Sequence, residues 1–336
     1  MEHHPLADRR VLVTGGAGFI GSHLVDALAP HAEVRVLDNF VNGTREHVHD
    51  DATVIEGDLR DPIALQRAAR GVDVIFHEGA IVSVTESVDD PRHTNDVNLE
   101  GTLGVLEQAR LEDARVVLAS SAAIYGHPES VPVAETDSLR PTSPYGIQKL
   151  SLDHYAHAYN QLYGLETVAL RYFNAYGPRQ QGPYSGVIAT FLEQARAGEP
   201  ITIEGDGEQT RDFVHVSDVI QANLLAATTD AVGRAYNVGT GTRTSIRTLA
   251  ETIRDVTDSD SDIVHVEPRP GDVRHSVASV ARASDELDFT ARIDLESGLE
   301  RLVEAGTDSR GAQRAAGRPT NEVGGERGTA GSRQDA

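Results

Sequence analysis

Short, continuous apolar runs alternate with stretches of helical period along the first half of the chain. Arg10-Val11-Leu12-Val13-Thr14 closes on Gly15-Gly16, and residues 18–29 follow with apolar positions at helical spacing. Val34 to Leu37 forms a second run and ends in Asp38; Val54-Ile55, Val72 to Phe76 and Val116 to Ala119 are further short runs. Helical stretches lie between them at 62–69 and 97–108, and 145–162 reads as one long helix before a strand at Thr167 to Arg171. Strands that are apolar throughout, rather than alternating, are buried on both faces, and helices between them place them in a parallel sheet. The pattern predicts an α/β fold, a doubly wound parallel sheet over residues 8–173. From Asn174 the rhythm loosens: Pro178, Gly182, Pro183, Gly186, Gly198 and Pro200 mark loops between short elements. We expect a smaller α/β C-terminal unit over 174–305, exchanging some elements with the first. Apolar period ends near Ala305, and the Gly-, Arg- and Ser-rich remainder reads as a disordered tail over 306–336.

Composition narrows the partners. Formal charge is −22, from 52 acidic and 30 basic side chains, which disfavours nucleic acid and leaves no basic patch for anionic lipid. With 39% hydrophobic residues and clear periodic segments, the acidity does not signal disorder. Acid-rich, lysine-poor composition resembles proteins adapted to saturated salt, where a short Debye length screens self-repulsion; we expect a halophilic protein. There is no cysteine, hence no disulfide or thiolate chemistry. No apolar signal region precedes Arg9-Arg10 and no run approaches membrane-spanning length, so a cytoplasmic, soluble protein is expected. The 14 histidines form no His-x-x-x-His or His-Glu-x-x-His pattern, and no metal is expected.

Two features carry chemistry. Thr14-Gly15-Gly16-Ala17-Gly18-Phe19-Ile20-Gly21 follows a strand and opens a helix, where glycines permit a tight turn and the approach of a pyrophosphate to a helix N-terminus. Asp38, at the end of the next strand, suits a ribose diol and would repel a 2′-phosphate, which favours NAD over NADP; the alternative is a turn cap beside Asn39. The second feature is Lys149, the only lysine in the chain, four residues after Tyr145. Spacing i, i+4 puts both on one helix face, and a compact ammonium beside a phenol does what an arginine cannot.

Glycines spaced G-x-x-G-x-x-G together with Tyr-x-x-x-Lys resemble the extended branch of the short-chain dehydrogenase/reductase superfamily, over about residues 9–304. Further support comes from Gly57-Asp58-Leu59-Arg60-Asp61, His77-Glu78-Gly79-Ala80 (for the family's His-x-Ala-Ala), Val97-Asn98-Leu99-Glu100-Gly101, Arg171-Tyr172-Phe173-Asn174 and Arg211-Asp212-Phe213-Val214-His215. The resemblance implies a Rossmann-like first domain with NAD held by Gly15, Gly18, Phe19, Ile20, Gly21, Asp38, Asn39, Asp58, Leu59, Gly79, Ala80, Asn98, Tyr145, Lys149 and Phe173.

It also implies a catalytic set of Ser121, Tyr145 and Lys149. Dehydratases of this branch carry acidic residues immediately after the serine, where proton transfer is needed; Ala122 and Ala123 stand there instead. What remains is redox at C4 without elimination: an NAD-dependent nucleotide-sugar 4-epimerase, with Lys149 and the nicotinamide charge drawing Tyr145 from near 10 towards neutrality. A UDP-sugar is the implied substrate, either UDP-glucose/UDP-galactose or the N-acetyl pair. Arg211 and Arg269 would clamp its pyrophosphate, with Asn174 and Asp272 nearby, and Ser276 would leave room beside the sugar's 2-substituent. A homodimer is implied through helices 97–108 and 145–162. The alternatives are a uronate 4-epimerase, a 4-reductase, less readily a 4,6-dehydratase, and a catalytically silent NAD-binding regulator.

Overall fold

A computed structural model of the chain describes residues 4–180, 186–269 and 271–316, with side chains through residue 305. Gly182 and Pro183, expected in a loop, and residues 317–336 of the expected tail lie outside the described residues. The chain runs β1 (Arg10–Thr14), α1 (Phe19–Leu28), β2 (Glu33–Asp38), β3 (Thr53–Glu56), α2 (Pro62–Ala69), β4 (Val74–His77), α3 (Val84–Asp89), α4 (Pro91–Asn95) and α5 (Gly101–Glu112). It continues with β5 (Arg115–Ser121), α6 (Pro144–Tyr163), β6 (Thr167–Tyr172), β7 (Asn174–Tyr176), α7 (Gly186–Ala197), β8 (Ile201–Glu204), β9 (Thr210–Arg211), β10 (Phe213–His215) and α8 (Val216–Ala226). The last elements are β11 (Arg234–Val238), β12 (Thr244–Ser245), α9 (Ile246–Val256), β13 (Ile263–Val266), α10 (Ala281–Leu287) and α11 (Leu295–Ala316).

Seven parallel strands form the central sheet in the order β11-β6-β5-β4-β1-β2-β3. The chain builds outward from β1 in one direction and, from β4, in the other. Between the carboxyl ends of β1 and β4 the connections therefore part, and such a switch point leaves a crevice for a ligand. Apolar residues from both faces of each strand fill two cores: Val11, Val13 and Phe76 face α1 and α8, while Leu12, Ile75 and Leu118 face α5 and α6. Strands β4, β5 and β6 each run one or two residues beyond the apolar runs seen in the sequence, to His77, Ser121 and Tyr172. Polar side chains end these strands, where a count of apolar residues does not register them: His77 bonds Thr14 and Thr102, Ser121 caps the turn that follows β5, and Tyr172 bonds Glu78.

Beyond residue 173, β11, α8 and α10 join the large sheet, while α7, α9 and α11 enclose a separate core with Ile201, Ile203, Phe213 and Leu249. Parallel β8–β13 and β7–β10 and antiparallel β9–β12 complete this smaller part. Helix α11 extends to Ala316, past the point where apolar period ends, so helical backbone overlaps 306–316 of the segment expected as tail. Buried Leu299 anchors its start. Once a helix is nucleated, each added residue gains a hydrogen bond without needing an apolar face. Among the described residues no helix is long and apolar enough to cross a membrane.

Helix α6 starts on Pro144 with Ser143 accepting the Gly146 N–H and ends at Gly164 in the left-handed region (φ 71°). Its inner face is tied to the sheet by a buried ion pair, Arg171 Nε to Asp153 Oδ2 at 2.7 Å, with side chains 7% and 5% exposed. Arg171 also donates to the Tyr125 hydroxyl (2.8 Å), which donates to Asn237 Oδ1 (2.6 Å), joining β6, α6 and β11. Removing one partner of such a pair leaves an uncompensated charge. Asp153→Ala should lower the unfolding free energy by about 3 kcal/mol in chemical denaturation. Asp153→Asn should lose less, because its amide oxygen still accepts from Arg171.

Candidate active site

Glycines shape the crevice on the β1 side. Gly15 lies at φ +68°, and a Cβ there would come 2.7 Å from Gly79 Cα across the gap; a Cβ on Gly21 would overlap the Gly15 carbonyl. Gly18 caps α1 without a side-chain acceptor, so the first N–H groups of the helix, from Phe19 and Ile20 onward, point outward unpaired by any cap. This is a ready anion site at the positive end of the helix dipole. Asp38 accepts the Ala17 N–H (2.9 Å) and the Phe40 N–H (2.8 Å), so the turn-capping role and the bracing of the glycine loop are one interaction. Asn39 donates to Asp58 (3.1 Å), and Arg60 grips Asp58 with two bonds of 2.8 Å, holding that carboxyl well below the usual range. Leu59 packs beneath Gly79 and Gly101.

A hydrogen-bond relay fixes the β4 side. Thr102 donates to the Asn98 carbonyl (2.6 Å), so it must accept from His77 Nε2 (2.8 Å), which leaves Nδ1 to accept from Thr14 (2.7 Å). Gly79 N–H in turn approaches the Thr14 oxygen at 3.3 Å. Burial pushes His77 down to about 3, so the ring is neutral and its tautomer fixed. Asn98 is buried with its amide engaged by both backbone groups of Ile81 (2.8 and 2.9 Å) and by Gln148 (2.8 Å). It braces the loop carrying Gly79 and Ala80 from beneath. Phe173 is buried beside Tyr125.

Ser121, Tyr145 and Lys149 converge at the mouth of the crevice. Ser121 is the last residue of β5 and caps a turn of 3-10 helix over Ala122–Tyr125, accepting the Ala123 N–H (3.1 Å). Its hydroxyl lies near enough to the Tyr145 phenol to favour the ionised form. The Tyr145 N–H donates to Ser87 Oγ (3.1 Å), which positions the start of α6 against α3. Lys149 Nζ donates to the Ala119 carbonyl (2.7 Å) and stands 5.8 Å from the centre of the Tyr145 ring. Burial pushes Tyr145 up to about 12, against the lowering hydrogen bond from Ser121, and pushes Lys149 down to about 8. The expectation that Lys149 and the nicotinamide charge together draw the phenol towards neutrality concerns the site with cofactor in place; in the protein alone burial raises the phenol. Desolvation of the phenolate dominates, and a further positive charge in the crevice is required to offset it.

Glu78 is a site residue that sequence reasoning misses, because there it only fills the variable place of a His-x-Ala-Ala pattern. Its carboxyl accepts from the Tyr172 hydroxyl (2.9 Å), and burial pushes it up to about 7. No local sequence signal marks it, since its environment is assembled by β6 and α6 from far along the chain.

The expected phosphate contacts lie together on the smaller part. Arg211 bonds Asp272 (2.6 Å), and Thr210 carries the neighbouring strand through its carbonyl to the Ser276 N–H (3.0 Å). Arg269 reaches Glu204 (2.9 Å) and is largely exposed, and Asn174 is exposed at the start of β7. Each arginine is held by a carboxylate, an arrangement not foreseen from its motif. Among the described residues no group of three His, Asp or Glu side chains is placed to hold a metal ion.

Residues 11–239 match the model of the NAD dependent epimerase/dehydratase family. The chain belongs to this family. A putative UDP-glucose 4-epimerase of Methanocaldococcus jannaschii is 38% identical over 298 residues, 87% of this chain and 97% of that protein. The solved UDP-N-acetylglucosamine 4-epimerase from Methanobrevibacter ruminantium, in complex with UDP-N-acetylmuramic acid, is 38% identical (TM-score 0.87; 90% of this chain, 99% of that one). The Thermus thermophilus UDP-glucose 4-epimerase in complex with NAD is 39% identical (TM-score 0.81; 88% and 98%). This protein is an NAD-dependent enzyme of the nucleotide-sugar epimerase/dehydratase family, with the isomerase type among its relatives. Its uncapped α1 N-terminus, Gly15 against Gly79 and the Asp38 carboxylate fit the dinucleotide.

Burying the Lys149 ammonium opposes folding. With its pKa depressed from 10.5 to about 8, the unfolded chain binds the extra proton between those values, so stability rises with pH across that window and is lower below it. Without cofactor, Lys149→Met should be more stable than the parent by about 3 kcal/mol at pH 7, the gap closing towards pH 10.5. Urea unfolding at several pH values checks this.

Proposed function

We propose that the protein is a UDP-hexose 4-epimerase, interconverting UDP-glucose and UDP-galactose or their N-acetyl counterparts. The reading rests on one observation: Ser121, Tyr145 and the buried Lys149 converge at the mouth of the crevice, with Ser121 close enough to the phenol to oppose its rise, while Ala122 and Ala123 occupy the places where an eliminating enzyme needs a proton-transferring acid. NAD, when bound, supplies a hydride acceptor that also returns the hydride. Tyr145 takes the proton of the sugar 4-hydroxyl and gives it back, with Ser121 holding that hydroxyl and the phenol in one line. Lys149, positive below about pH 8, supports the ionised phenol and is itself held by Ala119. Because Tyr145 and Ser121 act on a single oxygen and no second acid stands at 122 or 123, the substrate keeps all its atoms and only its C4 configuration changes.

Asp38 favours NAD over NADP, since a 2′-phosphate would meet a carboxylate already fixed by two backbone donors. Arg211 and Arg269 would take the diphosphate, exchanging Asp272 and Glu204 for phosphate oxygens. Ser276 supports acceptance of N-acetyl sugars. Exposed Leu111, Ile147, Tyr155, Leu162 and Tyr163 on α5 and α6 support a homodimer packed through these helices. The acidic, lysine-poor composition supports a protein that works in high salt.

Purified protein in molar potassium chloride, given UDP-galactose, should form UDP-glucose. Absence of turnover with every UDP-hexose, despite bound NAD, would overturn the proposal. Tyr145→Phe should lower kcat by about 10²–10⁴-fold, the range of a lost general acid–base group. Lys149→Arg keeps the charge but not the compact ammonium, and should lose a comparable factor.

A further inference from the structure

Glu78 is a titratable side chain that the proton path above does not use, and it sits where such a group has consequences. Its backbone carbon stands 3.0 Å from where a Cβ on Gly15 would lie, so it lines the switch-point crevice opposite the glycine loop. Its Oε1 accepts from Tyr172, the last residue of β6, which pairs in register with Ser121 on β5. Asn223 of α8 donates to the same Tyr172 oxygen (2.8 Å), so the phenol's proton must go to Glu78 and the carboxyl is held from behind. The rest of the carboxyl meets no donor among the described residues, and the side chain is only half-buried. Lys149 and Tyr145 of α6 interact with it electrostatically, whereas His77, the preceding residue, faces away towards Thr14 and Thr102. Hydride transfer requires the nicotinamide to lie against the sugar carbon served by Tyr145 and Ser121. That places the ring in the same corner as Glu78.

We propose that Glu78 is a positioning residue of the redox site, a carboxylate held by Tyr172 and Asn223 beside the nicotinamide that favours the oxidised, cationic cofactor over the reduced, neutral one. The inference deepens the proposed epimerase, in which the cofactor must end every cycle oxidised, and rests on that reading for its purpose. A fixed negative charge beside the ring lowers the energy of the cation and not of the neutral form. Protonation cancels the effect. Burial places the Glu78 titration near 7, and a cation beside it draws that value down, so the bias towards the oxidised form is switched on as pH rises through the neutral range or just below it.

The test reads the cofactor itself, with no sugar present. Purified holoenzyme is treated with sodium cyanoborohydride, and reduction of the bound nicotinamide is followed by its near-ultraviolet absorbance against free NAD in the same buffer. In the parent, the rate relative to free NAD should fall as pH rises from about 5 to about 8, the span around a neutral titration. Glu78→Gln, which can still accept from Tyr172 but carries no charge, should be reduced on the order of tenfold faster than the parent near pH 7.5, with the fall between about pH 5 and 7 lost and only the Lys149 titration near 8 remaining. Glu78→Asp should restore most of the parent's resistance. A parent profile that is flat, or an aspartate variant as fast as the glutamine one, would show that Glu78 only packs against Tyr172. A holoenzyme that shows the expected profiles yet turns over no UDP-hexose would refute the epimerase reading and leave the role of Glu78 standing.

Discussion

The bond between Lys149 Nζ and the Ala119 carbonyl, at 2.7 Å, sets the geometry on which the rest of the site depends. Ala119 lies two residues before the carboxyl end of β5, and Lys149 lies on the second turn of α6. Joining them fixes the rotation and height of the helix against the sheet, which brings Tyr145, one turn earlier, over Ser121. A longer or differently branched cation would change that height. The bond does not make the lysine inexpensive: a nearly fully buried ammonium with a carbonyl and no contacting carboxylate is a destabilising element that only function explains. The Asp153–Arg171 pair one turn further along offsets this by anchoring the same helix to β6.

Electrostatics in the crevice are governed by desolvation rather than by pairing. Tyr145 rises, Lys149 falls and Glu78 rises, each chiefly because water is excluded. All three shifts favour neutral forms, so the protein alone holds a site poised against charge. A cationic ring entering this corner reverses the balance for both acids at once, favouring ionised Tyr145 and ionised Glu78. On the proposed reading, occupancy of the crevice is what ionises the Tyr145 phenol, which stays protonated until the cofactor is in place. Glu78 and Tyr145 then compete for stabilisation by the same cation, which is why the hydrogen bonds from Ser121 to one and Tyr172 to the other matter: they give each acid its own local donor.

Much of this was legible in the chain. Runs such as Val11-Leu12-Val13 and Val116 to Ala119 are strands because they are apolar on both faces, and the glycine loop and the lone lysine after Tyr145 mark the crevice from both sides. The carboxyl ends of the strands were not legible by the same rule, since His77, Ser120 and Ser121 are polar residues that an apolar run does not include. The rise of the Tyr145 phenol in the protein alone was not legible either, because i, i+4 spacing fixes proximity but carries no information about burial. Asn98 illustrates the same limit: its motif places it near the cofactor, but not the bonds its amide makes to both backbone groups of Ile81.

On the proposed reading, the arginines that the smaller part offers to a phosphate are already paired with carboxylates. Arg211, Arg247, Arg269 and Arg274 are each matched by Asp272, Glu208, Glu204 and Asp206 across the loops on either side of β8 and β13. In a chain of charge −22, unpaired arginines on an open surface would draw in other acidic segments, and pairing them locally keeps the loops in register instead. On the proposed reading, a diphosphate that reaches Arg211 and Arg269 displaces a carboxylate from each. Exposed pairs of this kind contribute little to stability and are further weakened by salt, so the exchange is nearly isoenergetic in charge. Selection then falls to geometry, because a diphosphate can engage two guanidinium forks at once while Asp272 and Glu204 each satisfy only one. Arg211, the less exposed of the two expected clamps, is where that difference is largest, since its side chain is 14% exposed against 68% for Arg269.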